Sequence, residues 1–121
     1  MGKRFSFRDR IKSFSFAFAG LKSLFAEEHN AYLHLAASFG VVLMGFYWRI
    51  SAVEWMAIIF CIGIVFSMEI INSSIEALAD HVTPEKHKAI KKVKDLAAAA
   101  VLVSAIMSLV IGLLIFIPKW M

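Results

Sequence analysis

Residues 53–78 read VEWMAIIFCIGIVFSMEIINSSIEAL, an apolar run long enough to cross a bilayer, yet Glu69, Asn72 and Glu76 interrupt its second half and Asp80 follows just beyond. About 20 such residues span the hydrocarbon as a helix. Offsets of 3, 7 and 11 from position 69 return to one side of a helix at 100° per residue, so the four polar groups share a face. An ionisable group at the centre of a span costs ~2.5–3.5 kcal/mol on insertion scales, which makes such a line a functional site by default. Packing glue among these groups, Ser73 and Ser104 is the plainer reading, but it leaves three carboxylates and an amide on one stripe unexplained. Glu69 is the deepest of them, and Glu76 and Asp80 approach the surface.

Outward from this segment, Ala31 to Trp48 and about Leu96 to Ile117 are two further spans, giving three with about 53–78. The chain is 60% hydrophobic, well above the roughly 45–50% of a soluble domain. Upstream, about 5–25 interleaves Phe5, Phe7, Ile11, Phe14, Phe18, Leu21 and Phe25 with Arg4, Arg8, Arg10, Lys12 and Lys22, the composition of a helix lying in the membrane interface. The expected fold is an all-α integral membrane protein, residues 1–121 forming one membrane-embedded domain: an N-terminal amphipathic interfacial helix followed by three transmembrane helices. The basic and aromatic start lacks the apolar core and cleavage site of a signal peptide, so it is expected to stay on the protein.

Charge sets the orientation. Six Lys or Arg precede the first span, Arg49 stands alone between the first two, five crowd Lys86 to Lys94, and Lys119 follows the third. The positive-inside rule then predicts a cytoplasmic N-terminus and loop 79–95 and an outer C-terminus, with Trp48, Trp55 and Trp120 at the outer boundary. The net charge of +4 flanks hydrophobic runs instead of coating a face, so no nucleic-acid partner is expected. Cys61, alone in an apolar run, reads as a small hydrophobe. Thr83 and Pro84 predict the cap and first position of a helix running into the third span. Along that span Ala100, Ser104, Ser108 and Gly112 form a small-residue stripe for close helix approach.

The groups near the cytoplasmic level suit phosphoryl transfer. Carboxylates hold Mg²⁺, a lysine meets phosphate charge, and a carboxylate near the bilayer takes a proton from a lipid hydroxyl. Lys94-Asp95, Glu27-Glu28 and Lys12 supply complementary chemistry at that level. Neither a Walker A sequence nor a kinase-type glycine loop occurs, so a nucleotide site of soluble type is excluded. A proton-coupled transporter is the reading from another class, since an intramembrane glutamate also serves a proton relay. A transporter places its groups near the midplane on broken helices, whereas neither Gly nor Pro breaks the second span after Gly63.

The residues Glu69-Ile-Ile-Asn72-Ser-Ser-Ile-Glu76-Ala-Leu-Ala-Asp80, then His87, then Lys94-Asp95, resemble the prokaryotic diacylglycerol kinase family over nearly the whole chain. Ser13-Phe14-x-x-Ala17-x-x-Gly20-Leu21 and Glu28-x-Asn30-x-x-x-His34 are most similar to its undecaprenol kinase branch. Ala97-Ala98 stands where the diacylglycerol branch usually has Gly-Ser. The resemblance implies an ATP-dependent kinase acting on undecaprenol, or alternatively on diacylglycerol, in a bacterial cell membrane. It implies Glu69 as catalytic base, Glu28 and Glu76 as Mg²⁺ ligands, and Asn72, Lys94 and Asp95 around the triphosphate beside Asp80. Lys12 would reach the transferred phosphate, and Glu85, Lys86 and His87 the nucleoside, near Phe16, where the family often has tyrosine. It also implies a homotrimer with active sites shared between neighbours. Ser74, Val93 and Asp9 depart from the usual pattern. Glu27 and Glu28 would point about 100° apart on a helix, and spacing to Asn30 and His34 selects Glu28. His29 and His34 are weighed as metal ligands, against the plainer role of satisfied polar groups.

Overall fold

The computed structural model describes residues 4–82 and 87–121. All regular structure there is helical: α1 (Phe7–Glu27), α2 (His29–Tyr47), α3 (Ala52–Val82) and α4 (Lys88–Trp120). The last three are long and apolar enough to cross a membrane, as the hydropathy of the sequence predicts. Their outward faces stay apolar and uncovered, as lipid contact requires.

Ser6 opens α1 by accepting the Asp9 N–H, and Asp9 in the first turn suits the positive end of the helix dipole. Phe5, Phe7, Ile11, Phe14 and Phe18 are all exposed. Only the C-terminal end of α1 docks, through buried Leu24 and through Phe25, whose ring meets Tyr32 of α2 and Phe66 of α3.

The corner between α1 and α2 is Glu28, with extended backbone (φ −111°, ψ 110°) and its N–H donating to the Leu24 carbonyl. The expectation that Glu27 and Glu28 divide two directions of one helix is therefore corrected. Glu27 ends α1, and Glu28 is turned inward by the bend and half-buried while Glu27 stays exposed.

At the opposite end α2 and α3 join through a tight turn. Arg49 takes a positive φ of 50°, a conformation that costs a side-chain-bearing residue roughly 1–2 kcal/mol. Ser51 and Glu54 then form a reciprocal capping box: the Ser51 N–H donates to Glu54 Oε1 (2.9 Å) and the Glu54 N–H to Ser51 Oγ (3.2 Å). Glu54 Oε2 also pairs with Lys119 of α4 at 3.0 Å. Gly45 lets α2 approach, since a methyl group there would stand 2.6 Å from the Trp55 ring. Ile50, Ile58 and Phe116 close a small core beside Trp48 and Trp55, so two of the three tryptophans meet at the end predicted to face outward.

The start of α4 differs from expectation. Thr83 and Pro84 lie outside the described residues, and the helix carrying the third span begins at Lys88, capped by His87. The backbone of His87 is extended (φ −108°, ψ 135°) and its Nδ1 accepts the Ala89 N–H at 3.1 Å, satisfying one of the free donors of the first turn. The small-residue stripe is used in part within one chain. Ser104 is buried and Ser108 Oγ donates to the Cys61 carbonyl of α3, while the space around Gly112 is open.

Candidate active site

The inward stripe of α3 changes character along its length. Ile58, Cys61 and Val65 are buried first, then Glu69 and Asn72, then half-buried Glu76 and buried Ala79. Spacings of three and four keep them on one face. The side of the helix that elsewhere packs against its neighbours thus becomes polar toward the α3 C-terminus.

Glu69 is 1% exposed. His34 Nε2 of α2 lies 2.9 Å from its Oε1, without the alignment of a made hydrogen bond, so that oxygen has no hydrogen-bond partner among the described residues; neither has Asn72 Oδ1. One turn further, the Glu76 carboxylate stands within electrostatic reach of Glu28, Asp80 and Lys94, with the Asn72 amide beside it. Lys94 Nζ of α4 reaches Asp80 Oδ1 at 2.5 Å, joining α3 to α4. Asp95 pairs instead with Lys91, one turn back on α4, at 2.6 Å.

Of the residues chosen from the sequence, the structure brings Glu28, Asn72, Glu76, Asp80 and Lys94 together, with Glu69 a turn deeper. Asp95 is adjacent along α4. Lys12 and Phe16 sit exposed on α1, and no ion pair joins Lys12 to these carboxylates among the described residues. His87 spends Nδ1 on capping, leaving Nε2 for a ligand. Glu85 and Lys86 lie outside the described residues.

The sequence reading missed two partners. Lys91 passes there for a topological charge, though its spacing of four from Asp95 predicts the pair. His34 is weighed only as a metal ligand or a satisfied polar group, and its pairing with Glu69 depends on how α2 docks on α3. No group of three metal-binding side chains forms among the described residues.

Glu28 and Glu76 nevertheless fit a magnesium ion. They come from two parts of the chain, stand within electrostatic reach of each other, and carry no ion pair among the described residues. Mg²⁺ is commonly held by one or two carboxylates with the rest of its shell from water and substrate phosphates.

Comparison with known proteins identifies the family. Residues 15–116 match the family described as prokaryotic diacylglycerol kinase. The undecaprenol kinase of Bacillus subtilis is 44% identical over 109 residues, covering 90% of this chain and 89% of that protein. A diacylglycerol kinase of Helicobacter pylori is 33% identical over 83% of this chain and 78% of its own length. That of Escherichia coli K12 is 27% identical, with 83% and 82% covered. Matched from within α1 to near the end of α4, the chain belongs to the prokaryotic diacylglycerol kinase family.

Proposed function

We propose that this protein transfers the γ-phosphoryl group of ATP to the hydroxyl of a membrane lipid alcohol, undecaprenol ahead of diacylglycerol. The observation that carries the proposal is the continuity of one face of α3, from a buried carboxylate at lipid depth, Glu69, to the charged cluster of Glu76, Asp80 and Lys94 at its end. A lipid alcohol approaches from the bilayer and a nucleotide from water, and that face joins the two. Undecaprenol is favoured by the name of the 44% identical relative and by Ala97-Ala98.

In this reading Glu69 receives the alcohol proton. Glu28 and Glu76 hold Mg²⁺, which when bound neutralises charge gathering on the β- and γ-phosphate oxygens. Lys94 and Lys12 meet phosphate charge, Asn72 and Asp95 orient the triphosphate, and Asp80 fixes Lys94. Phe16, Glu85, Lys86 and His87 border the nucleoside. Positioning and charge neutralisation carry most of the rate, since phosphoryl transfer asks little covalent chemistry of the protein.

The site faces the cytoplasm, where ATP is, consistent with the basic N-terminus and loop 79–95. The protein assembles as a homotrimer in a bacterial cell membrane. Support for assembly is the uncovered apolar groove of about 360 Å³ between α2, α3 and α4, with Gly112 on its wall. An unbroken α3 over Ala52–Val82 counts against the transporter reading.

The test is transfer of labelled γ-phosphate to undecaprenol and to diacylglycerol by the protein in nanodiscs with Mg²⁺. Transfer to undecaprenol with the higher kcat/KM is expected. A folded protein that labels neither lipid would sink the proposal.

A further inference from the structure

We propose that His34 is the positioning residue of the Glu69 base, its Nε2 donating to Oε1 so that Oε2 is the oxygen left to meet the alcohol; the inference rests on the kinase reading above. The pair joins α2 to α3 at 2.9 Å. Glu69 is almost wholly buried and its Oε1 lacks a hydrogen bond among the described residues, a state that burial makes unfavourable and a small turn of the imidazole would relieve. Catalytic hydrogen bonds are often misaligned before substrate binds and tighten in the complex.

The imidazole is also held by aromatic contacts. Its ring meets Phe66 edge-on at 6.4 Å between centroids, Phe66 meets Phe25 at 6.2 Å, and Phe25 meets Tyr32 at 5.5 Å. Aromatic contacts of this geometry fix ring orientation. Three helices therefore contribute to the placement of one side chain. His34 also lines the apolar groove between α2, α3 and α4, so it stands where that groove meets the buried carboxylate.

During transfer the alcohol O–H bond breaks and its proton passes to Glu69 Oε2. The alcohol oxygen bonds the γ-phosphorus, and the bond from that phosphorus to the β-bridging oxygen breaks, its electron pair leaving on ADP. His34 gains and loses nothing. It decides which oxygen of Glu69 is presented, and in what direction.

The experiment compares wild type with H34L, H34Q, E69Q and the H34L/E69Q double variant in nanodiscs, following labelled transfer to both lipids and thermal unfolding in detergent. H34Q keeps an N–H near the position of Nε2. Expected for H34L is a fall in kcat on the order of 10- to 100-fold, the size seen when a supporting partner is removed, with KM for ATP unchanged. H34Q recovers most of it, and H34L adds no further loss to E69Q, because the two residues act as one unit. An unchanged kcat in H34L, a stable H34Q as impaired as H34L, or losses that add fully would each overturn the role of His34. If H34L unfolds, H34Q decides alone: retained kcat supports the role and lost kcat overturns it. Absence of transfer by the wild type overturns the kinase reading itself, whereas equal transfer by wild type and H34L overturns only this inference.

Discussion

Glu69 and Gln have nearly the same shape, so Glu69→Gln separates the proton step from the packing. Buried on α3, position 69 should keep its fit, and kcat should fall about 10²–10⁴-fold, the usual contribution of a general base, with the melting temperature in detergent little changed. Glu28→Gln and Glu76→Gln should act differently. Each removes a proposed Mg²⁺ ligand, so a titration should show half-maximal rate at a Mg²⁺ concentration raised by about tenfold or more, while KM for the lipid stays put. Chelation should abolish transfer and added Mg²⁺ restore it. The shared face was legible because helical period alone puts Glu69, Asn72, Glu76 and Asp80 on one side of α3, whereas the roles given to them rest on the family resemblance. The contact of His34 with Glu69 was not, since no period within α2 or α3 fixes how the two helices meet.

At the scale of elements, the ends of the helices were harder to read than their bodies. Hydrophobic length located all three spans. The bend at Glu28 and the cap at His87 depend on single backbone torsions, and histidine is not among the usual capping residues. The Ser51-x-x-Glu54 box was readable from its spacing and passed unnoticed inside the apolar context. Ser51→Ala should lower stability by about 1 kcal/mol, within the range for lost caps, visible as a lower melting temperature without a change in KM for ATP. Gly45→Ala should cost on the order of 1–3 kcal/mol, because its methyl group would press on the Trp55 ring and part α2 from α3. If the close approach is the cause, a smaller side chain at Trp55 should recover much of the loss.

The whole molecule presents more apolar surface than one chain can cover, as a membrane protein must, so lipid-facing and neighbour-facing surfaces look alike in sequence and in a single chain. The four-residue stripe on α4 illustrates this: Ser104 is buried with its hydroxyl on the Val101 carbonyl of its own helix, Ser108 donates to α3, and Gly112 is left open. A Cβ at Gly112 would have nothing within 4 Å among the described residues, so Gly112→Leu tests the open wall. If the open wall receives another subunit, cross-linking should show less trimer and transfer should drop with it; an intact, fully active trimer would place the subunit contact elsewhere. The two ends of the bundle also differ in how they are secured. Glu54 uses both oxygens at the far end, one to start α3 and one to grip Lys119. At the reactive end α3 and α4 are joined by the exposed ion pair of Asp80 with Lys94, a bond that an arriving polyanion competes for. If nucleotide binds at Lys94 as proposed, the molecule is built like tongs riveted at the handle: the pair of Asp80 with Lys94 is the one to yield, and the grip of Glu54 on Lys119 at the other end of the bundle is left alone.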